Sequence, residues 1–322
     1  VGAADVARSS RSLSSTFRKF RPFGGGPKEA ASGSRPDPRV LPRQRSFRLP
    51  RGGWLMAPRV RLLLLFVIWT LADPVRLGSD SEGDGGWQQR GPGAVAEEER
   101  CTVERRADLS YAEFVQYYAF SRPVILQGLT DNSRFRALCS RERLLASFGN
   151  NVVRLSTANT YSYQKVDLPF QEYVEQLLHP QDPTSLGNDT LYFFGDNNFT
   201  EWASLFQHYS PPTFSLLGTT PAYSFGIAGA GSGVPFHWHG PGFSEVIYGR
   251  KRWFLYPHEK TPEFHPNETT LSWLQNIYPA LTPSARPLEC TIHTGEVLYF
   301  PDRWWHATLN LDTSVFISTF LS

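Results

Sequence analysis

From Tyr223 to the end of the chain, short apolar and β-branched runs recur: "AYSFGIAG", "FSEVIYG", "KRWFLYP", "LECTIHTG", "EVLYFP", "HATLNL" and "SVFISTF". Gly, Pro or Asp separates them, and between them only "TTLSWLQNIYP" has helical spacing. Many short strands at this spacing predict a β-barrel or sandwich. Ahead of them the pattern alternates between helix and strand. "LSYAEFVQYYAF" carries apolar residues near helical spacing, with Ser110 as N-cap and Glu113 three residues on. "RPVILQGL" is a short strand ending at Gly128, "SRERLLASFGN" a helix stopped by Gly149, and "NVVRLSTA" a strand. "LPFQEYVEQLLHP" and "FTEWASLFQHY" read as helices that flank the strand "TLYFFGD". No repeat of 20–50 residues is visible, so a solenoid is excluded. The pattern predicts a mainly β fold with flanking helices.

Charge divides the chain. The formal net charge of the 322 residues is +2. Residues 1–55 hold twelve Lys and Arg against Asp5, Glu29 and Asp37, which is +9 and leaves −7 for the remainder. An acidic body excludes a nucleic-acid partner, which needs a basic face. The basic part is rich in Arg, Ser, Pro and Gly and reads as a disordered segment outside the native protein. Met56 is the sole methionine, and Arg59, Arg61 and the ten-residue apolar run Leu62 to Leu71 follow it. This is the layout of a signal peptide over 56–72, cleaved near Ala72 and leaving no stable transmembrane anchor. Ten residues are too few to span a bilayer, which takes about 20. Residues 73–102 read as a flexible acidic linker and 103–322 as the folded domain.

Secretory targeting places the chain in the endoplasmic reticulum lumen or outside the cell. Sequons at Asn188, Asn198 and Asn267 fit a glycoprotein. The last residues, "ISTFLS", are not a KDEL-type signal, so residence in the lumen needs a retained partner. The three cysteines allow a Cys101–Cys139 disulfide in an oxidising compartment; alternatively Cys139 and Cys290 are buried small apolar residues.

The candidate chemistry lies in "VPFHWHGPG". His237 and His239 are two residues apart, so on a strand both side chains face one way. A third imidazole is available from His306 in "GEVLYFPDRWWHATLNL". Three imidazoles suit a divalent metal such as iron, copper, nickel or zinc. Glu245 is a weaker candidate for a fourth ligand, because the Gly240-Pro241-Gly242 turn breaks strand parity from His239. The glycines of "GIAGAGSG" precede no helix and so read as bends, not a phosphate cradle.

Together "VPFHWHGPG", "GRKRWFLYP" and "GEVLYFPDRWWHATLNL" resemble, in order and spacing, the JmjC branch of the cupin superfamily. The resemblance covers about residues 103–322. It implies a double-stranded β-helix, the JmjC/cupin jelly roll, with the metal inside the barrel mouth. It further implies that His237 and His306 are the first and last ligands of an Fe(II) site. Lys251 matches the lysine that pairs with the distal carboxylate of 2-oxoglutarate. Two departures stand out. His239 replaces the acidic ligand of active members, and Val234 stands where many relatives have a threonine that bonds the co-substrate. These departures favour a protein-binding, regulatory role around an unconventional His-rich metal site, with Trp304 and Trp305 at its mouth. The retained His237, His306 and Lys251 keep open an active Fe(II)/2-oxoglutarate-dependent hydroxylase acting on a lumenal protein.

Overall fold

A computed structural model describes residues 83–88, 100–162 and 164–321. The basic segment 1–55 and the span 56–72, expected to be a signal peptide, lie outside the described residues. Among the described residues twelve strands form two sheets. In chain order they are β1 (Arg105–Arg106), β2 (Val124–Gln127), β3 (Val152–Thr157), β4 (Lys165–Pro169), β5 (Leu191–Phe194), β6 (Pro221–Ala228), β7 (Gly242–Tyr248), β8 (Lys251–Tyr256), β9 (Leu288–Ile292), β10 (Glu296–Phe300), β11 (Trp305–Asn310) and β12 (Ser314–Leu321). The larger sheet runs β1-β2-β10-β7-β12-β6-β5-β3-β4, and the smaller one β11-β8-β9. A single antiparallel bridge, His237 to His306, adds the segment before β7 to the edge of the smaller sheet.

The apolar runs are continuous because the central strands are buried on both faces. On β10, Leu298 and Phe300 point between the sheets with Trp253, Leu255, Cys290 and Ile292. Their neighbours Val297 and Tyr299 point outward, beneath Phe114 and Tyr118. The same alternation continues on β7 and β12, where Ile247, Val315 and Ile317 meet an outer helical layer that includes Phe135, Leu144, Phe148 and Trp202. The larger sheet is thus sandwiched between helices and the smaller sheet, as expected of a double-stranded β-helix.

The helical cover starts at α1 (Tyr111–Tyr117), which has the expected capping box: the Glu113 N–H donates to Ser110 Oγ, and the Ser110 N–H donates to the Glu113 carboxylate. Two expected helices are shorter than their patterns. "LPFQEYVEQLLHP" makes one α-turn, Phe170–Glu172, and then a wider π-turn, Tyr173–Leu177. Within it the Tyr173 hydroxyl donates to the Ile227 carbonyl, so the segment is fitted to the sheet and not to its own helical period. "FTEWASLFQHY" holds only Ala203–Phe206 as α-helix. Strand β4 is mostly exposed, and its alternation is only the four residues Lys165-Val166-Asp167-Leu168, too short to stand out beside the helical pattern that starts at Leu168.

Folded structure also reaches into the span read as linker. Trp87 is 2% exposed, packs into the helical layer, and donates its indole N–H to the Cys139 carbonyl. Asp84 accepts from the Gly86 and Gln88 N–H groups and shapes the turn. Gly85, at φ +62°, lies so close to Tyr248 that a Cβ would come within 2.6 Å of the ring. Further on, Thr102 pairs with Glu289 on β9. That alignment brings Cys101 to Cys290, and the two form a disulfide. Of the two alternatives read from the sequence, the Cys101–Cys139 disulfide is corrected, and the other holds for Cys139 only, since Cys290 is buried but bonded to Cys101. Cys139 is a free thiol buried beside Trp87.

Glu245 is buried on the outer face of β7, where the Asn132 amide donates to both of its oxygens. Burial pushes its carboxyl up from the usual 4.5 to about 7, against the opposing effect of hydrogen bonds from Asn132 and Tyr209. The folded chain keeps this proton to near pH 7, whereas the unfolded chain releases it near 4.5. Stability therefore falls as pH rises through this window, by about 3 kcal/mol in total. Glu245→Gln should be clearly more stable than the natural chain at pH 8, and the two should converge at pH 5. Urea unfolding at both pH values tests this; an equal gap at both would contradict it.

Candidate metal centre

The three predicted histidines meet at the mouth between the sheets. His306 lies on β11, and its backbone exchanges both hydrogen bonds with His237, at 2.9 and 3.1 Å. The segment carrying His237 and His239 is not a regular strand, since only His237 makes a bridge. Even so, His239 turns to the same side: its Nε2 lies 3.2 Å from that of His306. All three residues offer a ligand nitrogen within 4.8 Å of one another.

Backbone carbonyls fix which ring nitrogen is protonated. His237 Nδ1 lies 2.9 Å from the Pro235 oxygen, His239 Nδ1 2.8 Å from that of Gly240, and His306 Nδ1 2.8 Å from that of Trp304. A carbonyl can only accept, so each Nδ1 bears the hydrogen and each Nε2 keeps its lone pair. The close Nε2 pair of His239 and His306 is then lone pair against lone pair, which a cation between them relieves. A metal about 2.0–2.1 Å from each imidazole nitrogen matches such a spacing. The donor set fits a divalent ion, and these three residues could hold one.

Electrostatics agree. Burial, then the neighbouring His239, holds His237 down to about 3. Burial likewise lowers His239, and burial with the other two rings lowers His306 well below the ordinary histidine range. Burial thus biases all three imidazoles toward the neutral form that ligates a metal.

Behind them is a cavity with about 450 Å³ of empty space, its open mouth included. Lys251 lines it from β8 and is buried, at 4% exposure, which excludes a solvated strand lysine. Its Nζ sits 3.2 Å from the centre of the Phe316 ring, and no hydrogen bond or ion pair joins it among the described residues. Burial accordingly lowers its pKa well below 10.5. A buried amine with only a ring beside it is suited to an anion entering the cavity. Val234 also lines the cavity and brings no hydroxyl, but its N–H donates to Thr308 Oγ1, and Thr308 faces the same space.

Thr308 and Asn310 were missed in the sequence. They follow His306 at i+2 and i+4 on β11, so period-two spacing puts all three on one face. The Asn310 amide N–H donates to the Ser232 carbonyl, while its buried Oδ1 has no partner among the described residues. Trp238, 46% exposed between the two histidines, was also missed; it forms the rim with His258 and Trp305. Trp304, by contrast, packs partly into the interior cluster. Glu245 is on the far side of β7 and takes no part. None of Asn188, Asn198 and Asn267 lines the cavity.

Cobalt(II) titration should give an affinity that changes less than about tenfold between pH 7.5 and 5.5, because His237 and His306 have no proton to lose and burial biases His239 toward the neutral form. Three ordinary histidines would lose up to about a thousandfold over the same range. The visible cobalt spectrum reads the binding, and His306→Ala should abolish it. A steep proton-linked loss in the natural chain would show that the rings are not held neutral.

A sequence profile of the cupin-like domain matches residues 110–320. JmjC domain-containing protein 8 of Homo sapiens is 86% identical over 266 residues, which are 83% of this chain and 100% of that protein. Its Mus musculus counterpart is 81% identical over 268 residues, 82% of this chain and 98% of that protein. Lysine-specific demethylase JMJ21 of Arabidopsis thaliana is 32% identical over 242 residues, 67% of this chain but 25% of that protein. Among solved structures, YcfD, a ribosomal oxygenase from Escherichia coli in complex with cobalt and succinic acid, aligns at 16% identity and a TM-score of 0.42, covering 67% of this chain and 52% of that one. The chain belongs to the cupin-like JmjC family.

Proposed function

We propose that this chain is a lumenal JmjC-fold protein that acts mainly by binding other proteins, in a regulatory role, around a metal site made of three imidazoles. The observation that carries this reading is the donor set. His239 supplies a neutral nitrogen where an acid would supply a negative charge, and none of the residues lining the cavity is Asp or Glu. An ion held only by His237, His239 and His306 keeps its full positive charge. Such a shell favours tight holding of a divalent ion and disfavours the higher oxidation states that dioxygen chemistry requires. The exposed Trp238, with Trp305 and His258 beside it, offers an aromatic rim of the kind that protein interfaces use. The Cys101–Cys290 disulfide, the apolar run at 62–71 and the sequons support an oxidising, lumenal setting. Among the described residues no helix is long and apolar enough to cross a membrane.

One observation favours a second reading, that of an Fe(II)/2-oxoglutarate-dependent protein hydroxylase. Lys251 remains buried and unpaired among the described residues, as a carboxylate-binding residue must be, and Thr308 and Asn310 add polar groups beside it. Fe(II) would supply the dioxygen chemistry there, while Lys251 would orient the co-substrate.

Succinate release with iron and ascorbate separates the two. The natural chain should bind metal yet release succinate at the rate of the enzyme-free control, and His239→Asp should raise that rate. Robust release by the natural chain, lost in His306→Ala, would establish the hydroxylase instead.

A further inference from the structure

Two of the three sequons are bonded to each other. Asn267 Nδ2 donates to Asn188 Oδ1 at 2.9 Å, and Asn267 Oδ1 accepts from the Asn188 backbone N–H at 2.9 Å. The Asn267 carbonyl also accepts from the Gly187 N–H. Asn267 therefore clamps the loop around Asn188 to the loop that leads into helix Thr270–Asn276. The hydroxyl residue of the same sequon, Thr269, is 2% exposed and caps that helix by accepting from the Ser272 N–H. Both sequon residues are thus explained by structural roles.

N-glycosylation acts on one specific hydrogen. A lipid-diphosphate-linked oligosaccharide is the donor. A bond forms between the sugar C1 and the asparagine Nδ2, the C1–O bond to the diphosphate breaks, and the displaced amide proton leaves with the diphosphate. A singly substituted amide is trans, so the sugar carbon takes the position on the same side as the amide oxygen. In Asn267 that position is already used. Both of its bonds run to one residue, so the N–H that reaches Asn188 is the one lying on the oxygen's side. A sugar there removes the clamp and pushes into Asn188.

The other two asparagines are free in this respect. Asn198 is exposed, and its Oδ1 accepts from the Thr200 and Glu201 N–H groups. Asn188 is exposed and uses its Oδ1 as an acceptor. Neither Nδ2 makes a hydrogen bond among the described residues. We propose that Asn188 and Asn198 carry N-linked glycans in the folded protein and that the Asn267 sequon is consumed by the fold and stays unmodified. This rests on the lumenal reading.

The test is site-by-site occupancy of the full chain made in mammalian cells. Glycosidase release in heavy-oxygen water converts each modified asparagine to a labelled aspartate, which peptide mass spectrometry locates. Label is expected at positions 188 and 198 and at background at 267. Asn188→Gln and Asn198→Gln should each remove one step of gel mobility. Asn267→Gln should keep the natural banding while lowering the melting temperature. Label at 267 in the folded protein, or an unlabelled 188 or 198, overturns the proposal and leaves the lumenal reading standing. Label at none of the three overturns both.

Discussion

Strands β7, β10 and β12 are covered on both faces, and the rest of the molecule follows from that constraint. One face of each must suit a dry helical layer; the other must suit a barrel interior that holds a cavity. Phe243 and Ile247 serve the first on β7, and Ser244 and Val246 the second. A shift by one residue would turn Glu245 into the cavity and Ser244 into the helices. The register is fixed by ladders on both sides, with Ser244 opposite Leu298 on β10 and opposite Ser318 on β12. This register keeps the cavity free of carboxylates.

The site is set by the same economy of parts. One backbone bridge brings His237 to His306, and three carbonyl contacts then choose the tautomer of all three rings. No side chain outside the triad is needed to orient it. Such a site is rigid because it is tied to main chain, and it tolerates sequence change around it for the same reason. Lys251 is positioned independently, from β8 in the smaller sheet, with Asn310 opposite it in the ladder.

Much of this was legible in the sequence where a feature is local. The Ser110–Glu113 box, the late β runs and the i, i+2 histidines all depend on neighbours a few residues away. What could not be read depends on distant partners. Cys101 finds Cys290 because Thr102 pairs with Glu289, a contact across 187 residues. The Asn267 sequon looks like any other until Asn188 is seen beside it. Strand β4 is mostly exposed and alternates over only four residues, too short a run to read beside the overlapping helical pattern. Thr308 and Asn310 are a different case: their period-two relation to His306 was present in the sequence but had no meaning until β11 was known to face the cavity.

Trp87 sets the practical limit of the domain. The pattern alone would start the folded unit at residue 103, sixteen residues after this ring. A chain begun there would leave an indole-sized hole in the cluster of the helical layer and strip the Cys139 carbonyl of its indole donor. Losses of that size run to several kcal/mol, comparable with the whole stability of a domain. The smallest piece of this protein that should be asked to fold by itself therefore begins at or before Gly83, well upstream of the cupin-like profile match at residues 110–320.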